Sequence, residues 1–297
     1  MLDYFNLNNL ATNIQVFNFL GTVSWQTWSK PRNAKLVYMI AIGGGGGGAG
    51  GQGGAGGRLG GAGGGSGAIT RAIVPANILP DTLHINVGTG GAGGSASSLG
   101  ISGGLTYITS FPVLNLNNYF IYAQAGSNGA VTTGSANGGT SFAATSAYNN
   151  YQMIVSFTAG MASGGGGTTA GGNGGTVTGV TICVTGGAGG GGGAAGSTTM
   201  GDGGSIEVHS SLPVLSGGTT SSVAGQNGMV LNHPSYNVSN ETIFFSYGGS
   251  GGGANASGVG GKGGDGAIGS GGGGGGAGTT GGAGGRGGNG LAIIISI

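Results

Sequence analysis

The sequence predicts an all-β protein: short β-strands interleaved with a packed polyglycine-II helix bundle, and almost no α-helix. Three observations predict it. Gly fills 83 of 297 positions, against about 7% of an average protein. Short runs rich in Ile, Val, Thr, Phe and Tyr punctuate the glycine. Within the glycine, the other residues recur at every third position over long stretches.

The strand-like runs are residues 14–20, 22–28, 35–42, 68–74, 82–87, 105–111, 119–124, 152–158, 176–185, 205–209 and 291–297. Ile14-Gln15-Val16 and Thr82-Leu83-His84-Ile85-Asn86-Val87 alternate with a period of two, the pattern of a half-buried strand. His84 is expected to point outward. No segment joins a helical period to capping residues.

The glycine tracts are residues 43–67, 88–94, 164–175, 186–196 and 248–290, and most strands feed into or out of one. In the last tract Val259, Lys262, Asp265, Ile268, Ala277, Thr280, Ala283, Arg286 and Asn289 share one register modulo three. Ala49, Gln52, Ala55 and Arg58 repeat the spacing. Three residues per turn is the geometry of polyproline II, which has no internal hydrogen bonds. Its N–H and C=O groups must therefore pair sideways with neighbours, and two Gly per turn leave bare faces for close approach. Third-register side chains at the rim are expected to face solvent, Arg58, Lys262, Asp265 and Arg286 among them. Lys262 and Asp265 are expected about 9 Å apart, too far for an ion pair on one helix.

Ordering a residue costs roughly 1–2 kcal/mol, with Gly the worst case. A lateral hydrogen bond returns about 0.5–1.5 kcal/mol. Glycine alone is near balance on this comparison, so the apolar strands must supply the surplus stability and pin each tract in register.

Composition excludes several function classes. Charged residues are 4% of the chain and the net charge is +1, too few cations for a nucleic-acid footprint. Collagen needs Gly at every third position with abundant Pro, and Pro numbers 6. Cys183 is alone, so there is no disulfide framework. No run of 18 apolar residues exists, so no membrane-spanning helix or membrane insertion is expected. The first residues, Met1-Leu2-Asp3-Tyr4-Phe5-Asn6, lack a basic region and an apolar core, so no signal peptide is expected.

Catalytic and metal motifs are weak. The acids and the three histidines show no metal-ligand spacing. Gly100-Ile101-Ser102-Gly103-Gly104 fits a nucleophile elbow in spacing only, since no helix follows. Glycine-rich runs at 260–265 and 284–291 approach a calcium-binding nonapeptide but lack tandem copies. The reading is a non-enzyme with no catalytic residues, no metal and no cofactor.

Two regions follow: a β region, residues 1–42, for attachment or assembly, and a glycine-rich body, residues 43–297, with loop segments 105–125, 142–158 and 226–247. Phe17, Phe19, Trp25 and Trp28 are the attachment candidates. The loop segments hold the binding candidates: Tyr107, Tyr119 and Tyr122; Tyr148, Asn149, Asn150 and Tyr151; His233, Tyr236 and Asn237. Tyr with Asn, Ser and Gly is the chemistry of adaptable binding loops. Rings stack on sugar faces and amides bond hydroxyls, so glycan is a candidate target. The same aromatics also serve to build a core in a chain poor in large residues.

Ser24-Trp25-Gln26-Thr27-Trp28-Ser29-Lys30-Pro31, then Lys35-Leu36-Val37-Tyr38-Met39-Ile40-Ala41-Ile42 and a glycine run, resemble the opening of phage glycine-rich tail proteins. Gly287-Gly288-Asn289-Gly290-Leu291-Ala292-Ile293-Ile294-Ile295 resembles their closing strand. The glycine texture is similar to that of T-even-type tail-fibre tip adhesins, in which polyglycine-II helices form a rigid core and loops at its end bind a host receptor. The resemblance implies a virion component partnered by fibre or capsid proteins or by its own copies, and by a host surface glycan or outer-membrane protein. The rival reading is a self-assembling structural protein, an extracellular filament or capsid-surface decoration.

Overall fold

The computed structural model describes residues 13–22, 24–113, 119–135, 137, 154–178, 184–193, 199–208, 212–232 and 244–297. Among them the regular structure is strand, with one 3-10 turn at Ala76–Ile78 and no α-helix. The strands are β1 Asn13–Asn18, β2 Gln26–Ser29, β3 Leu36–Ile42, β4 Ile69–Pro75, β5 Thr82–Asn86, β6 Thr106–Thr109, β7 Tyr119–Ala123, β8 Ile154–Thr158, β9 Val177–Thr178, β10 Ile206–Glu207, β11 Val230–Asn232, β12 Phe244–Ser246 and β13 Leu291–Ser296.

Two sheets pack face to face. One has the order β1-β13-β3-β4-β8, the other β2-β5-β6-β7, and all their pairings are antiparallel. The N-terminal β region and the end of the body thus share one sheet, since β13 lies between β1 and β3. Alternation decides the core. Val37, Met39 and Ala41 of β3 and Ala292 and Ile294 of β13 face Trp28, Leu83, Ile85 and Ile108 of the other sheet. The Thr70 hydroxyl ties the sheets together by donating to Tyr122 O at 2.7 Å.

Most strands run straight into glycine. Residues 43–52, which leave β3, donate in three directions in rotation. Gly43, Gly46, Ala49 and Gln52 donate to Ala68, Gly65, Ala62 and Leu59; Gly44, Gly47 and Gly50 to Gly104, Ile101 and Ser98; Gly45, Gly48 and Gly51 to Gly288, Gly285 and Gly282. These three partners run antiparallel. Three parallel segments donate back: Gly91 and Gly94 to Gly45 and Gly48, Gly126 and Gly129 to Gly44 and Gly47, Gly272 and Gly275 to Gly46 and Ala49. One extended segment is thus ringed by six others among the described residues. Residues 271–278 are enclosed in the same way.

The close approach requires glycine. A Cβ on Gly47 would stand 2.0 Å from Ala92 O, and one on Gly274 would stand 1.8 Å from Gly61 O. Ala49, Ala62, Ala188, Ala254 and Ala277 are fully buried nonetheless, so the packing leaves room for a methyl at chosen places. A second cluster, Val177, Ile206, Val208, Leu215 and Tyr247, packs where the short strands β9 and β10 meet the glycine segments.

Much of the three-residue register behaves as expected. Val259, Lys262, Ala283 and Arg286 are exposed. Two expectations are corrected. Arg58 is buried, 5% exposed, because its backbone pairs in both directions with Gly193 and its Nε donates to Gly56 O across the turn at 53–57. Lys262 Nζ lies 3.0 Å from Asp265 Oδ1. Backbone rise separates the two residues, but the four-carbon lysine stem spans that distance along the surface.

Candidate functional site

The outer face of the four-stranded sheet carries a cluster of three tyrosines. Tyr107 on β6 pairs with Tyr122 on β7, and the next pair, Ile108 with Ile121, points into the core. Thr109 then pairs with Tyr119, skipping Phe120. In an unbroken strand residues 119 and 122 would face opposite ways. The extra residue, a β-bulge, returns Tyr119 to the side of Tyr122. Ring centroids lie 5.0 Å apart for Tyr107 and Tyr119, 5.6 Å for Tyr119 and Tyr122, and 6.4 Å for Tyr107 and Tyr122. These are favourable distances for tilted and edge-on aromatic pairs.

The neighbouring strand extends the patch. His84 lies on the same face, half-exposed as alternation predicts, while Asn86, opposite Tyr107, is only 5% exposed. Tyr107 and Tyr122 are half-buried and Tyr119 is 8% exposed. All three phenols are pushed above the ordinary value of 10.0, first by burial; for Tyr107 and Tyr119 the neighbouring phenols add to it. The three phenols therefore stay neutral across physiological pH.

The patch has a rigid foundation. Thr106, the residue before Tyr107, is buried. Its hydroxyl donates to Ile42 O at 2.7 Å and accepts from Gly88 N at 3.1 Å, joining β6 to the end of β3 and to the glycine segment that starts at Gly88.

The other candidate residues fall in different places. Tyr107, Tyr119 and Tyr122 sit on paired strands rather than on a loop. Tyr148, Asn149, Asn150, Tyr151, His233, Tyr236 and Asn237 lie outside the described residues, as does Cys183. Trp28 is fully buried and Phe17 is 7% exposed, both in the sandwich core. Phe19 packs partly against that core and Trp25 is half-exposed. Ser102 lies in the extended segment that pairs with residues 44–50, and its hydroxyl donates to Asn128 Oδ1 at 3.0 Å.

Among the described residues no group of three or more His, Cys, Asp or Glu is placed to hold a metal ion. No helix among them is long and apolar enough to cross a membrane. The chain matches no known protein-family profile, and no curated protein sequence matches it.

Proposed function

We propose that the protein is a non-enzymatic virion component, a phage tail-fibre adhesin whose glycine segments are packed polyglycine-II helices. The observation that carries the reading is the three-tyrosine patch mounted on a laterally bonded glycine scaffold. The six-neighbour pattern with its three-residue step supports the helix assignment, since polyproline-II geometry points successive amides in three directions. Such a scaffold holds a surface in place without a large hydrophobic core. Tyr107 and Tyr122, both half-buried, offer flat apolar faces and hydrogen-bonding rims, which suits a host glycan or an outer-membrane protein loop.

A specific observation favours self-assembly as the second reading. Ile14 and Val16 on the edge strand β1 are 55% and 54% exposed. An exposed apolar edge pairs readily with another copy.

Electron microscopy of the purified protein, with antibody labelling of virions from the source sample, separates the two. Discrete particles and label at tail tips support the adhesin. Regular filaments from protein alone replace it with the assembly reading.

A further inference from the structure

The glycine segments have two unlike ends. One carries the two packed sheets and both described ends of the chain, Asn13 and Ile297. The other is closed by turns near residues 53–58, 95–98, 168–171, 219–222 and 255–259. Between three of its loops lies a cleft of about 440 Å³ whose polar lining is Thr199, Thr220, Ser221, Asn255 and Ser257. That volume is within the range of about 300–1,000 Å³ for small-molecule pockets. No charged side chain is among the described residues that line it.

The cleft is built rather than incidental. Ser221 and Ser222 have φ of 78° and 75°. A left-handed backbone is costly for a residue with a Cβ and free for glycine. A chain with Gly at 83 of 297 positions nonetheless places serine at both. The Ser222 hydroxyl is structural: it donates to Val259 O at 2.6 Å and accepts from Asn255 Nδ2. Asn255 braces the loop too, since its Oδ1 accepts from Ser257 N at 3.1 Å. Asp202 holds the third side by accepting from Thr220 N at 2.8 Å.

The hydroxyls of Ser221, Thr220 and Ser257 have no such role. None has a partner among the described residues, and all three residues line the cleft. They are uncharged groups that both donate and accept. Met200, also in the lining, adds a soft apolar contact for the C–H face of a ring.

We propose that this cleft is a binding subsite for a neutral hexose ring of a surface glycan, with Ser221, Thr220 and Ser257 bonding its hydroxyls. The proposal rests on the adhesin reading and adds a second contact surface at the end of the molecule away from both described chain ends.

The test is titration of the ¹⁵N-labelled full chain with a panel of neutral hexose and N-acetylhexosamine oligosaccharides, with sialylated counterparts as anionic controls. Ser221→Gly accepts the observed φ without strain, so it removes the hydroxyl and keeps the fold; Ser257→Ala is the second variant. The expected result is amide shifts at Thr220, Ser221 and Ser257 with a neutral sugar. Each variant should weaken that binding at least tenfold without lowering thermal stability. Shifts confined to Tyr107 and Tyr122, or binding unchanged in both variants, overturn the subsite and leave the adhesin reading standing. No shift with any sugar overturns the subsite. If the protein also fails to bind host cells, the adhesin reading falls with it.

Discussion

Gly47 and Ala92 are packed so closely that a Cβ on Gly47 would stand 2.0 Å from the Ala92 carbonyl oxygen. The same Cβ would lie 2.9 Å from Gly91 O. Both obstructing atoms are main chain of one neighbouring segment. That segment is held by its own lateral bonds, Gly91 N to Gly45 O and Gly94 N to Gly48 O, so it cannot swing aside as a side-chain end would.

Gly47→Ala is therefore expected to cost about 3 kcal/mol or more, the upper range for overpacking. Gly56 is the control: nothing lies within 4 Å of a Cβ placed there. Gly56→Ala should stay within about 0.5 kcal/mol of the parent. Urea unfolding of the two variants checks the pair, and equal midpoints would contradict the close packing.

The tyrosine patch predicts alkaline sensitivity. Burial raises the phenols of Tyr107, Tyr119 and Tyr122 above 10.0 in the folded protein. Above that pH the unfolded chain releases these protons while the folded chain retains them. The stability they contribute is thus fully present below the unfolded value and is lost as pH rises through the folded values. Thermal melts from about pH 8 to 12 should show this fall, and Tyr107→Phe with Tyr122→Phe should reduce it.

Asp265 carries more than its ion pair. Its Oδ1 accepts from Arg286 N at 2.9 Å as well as from Lys262 Nζ at 3.0 Å. Lys262→Ala removes an exposed pair and should cost less than about 0.5 kcal/mol. Asp265→Ala also strips a backbone amide of its acceptor and should cost about 1 kcal/mol. Thermal unfolding of the two variants in low salt ranks them.

The two tryptophans should behave differently. Trp28 is fully buried among Leu83, Ile85 and other core side chains. Trp28→Ala should cost about 3–5 kcal/mol. Trp25 is half-exposed, and Trp25→Ala should cost about 1 kcal/mol or less. Denaturant midpoints of both variants check this.

Strands were legible in the sequence where they alternate. Thr82–Asn86 reads inward at Leu83 and Ile85 and outward at His84, as observed. Strands of three residues, such as Val230–Asn232, carry too few positions to show a period. The glycine register was legible because its side chains recur every third residue. Which segment neighbours which was not, because glycine has no side chain to specify a partner. The tyrosine patch was half legible: its members stood out as aromatics, but the bulge at Phe120 that gathers them leaves no mark in the local pattern. The hydroxyl cleft was hidden because Ser, Thr and Asn there look like ordinary turn residues.

The glycine segments form an ordered, laterally bonded scaffold. Hydrogen exchange of the amides in residues 43–52, followed by NMR at neutral pH, tests it most directly. Gly45, Gly46, Gly47 and Gly48, all donors at 2.9 Å, should exchange as slowly as the core amides of β3. Exchange at the rate of an unstructured glycine peptide would contradict it.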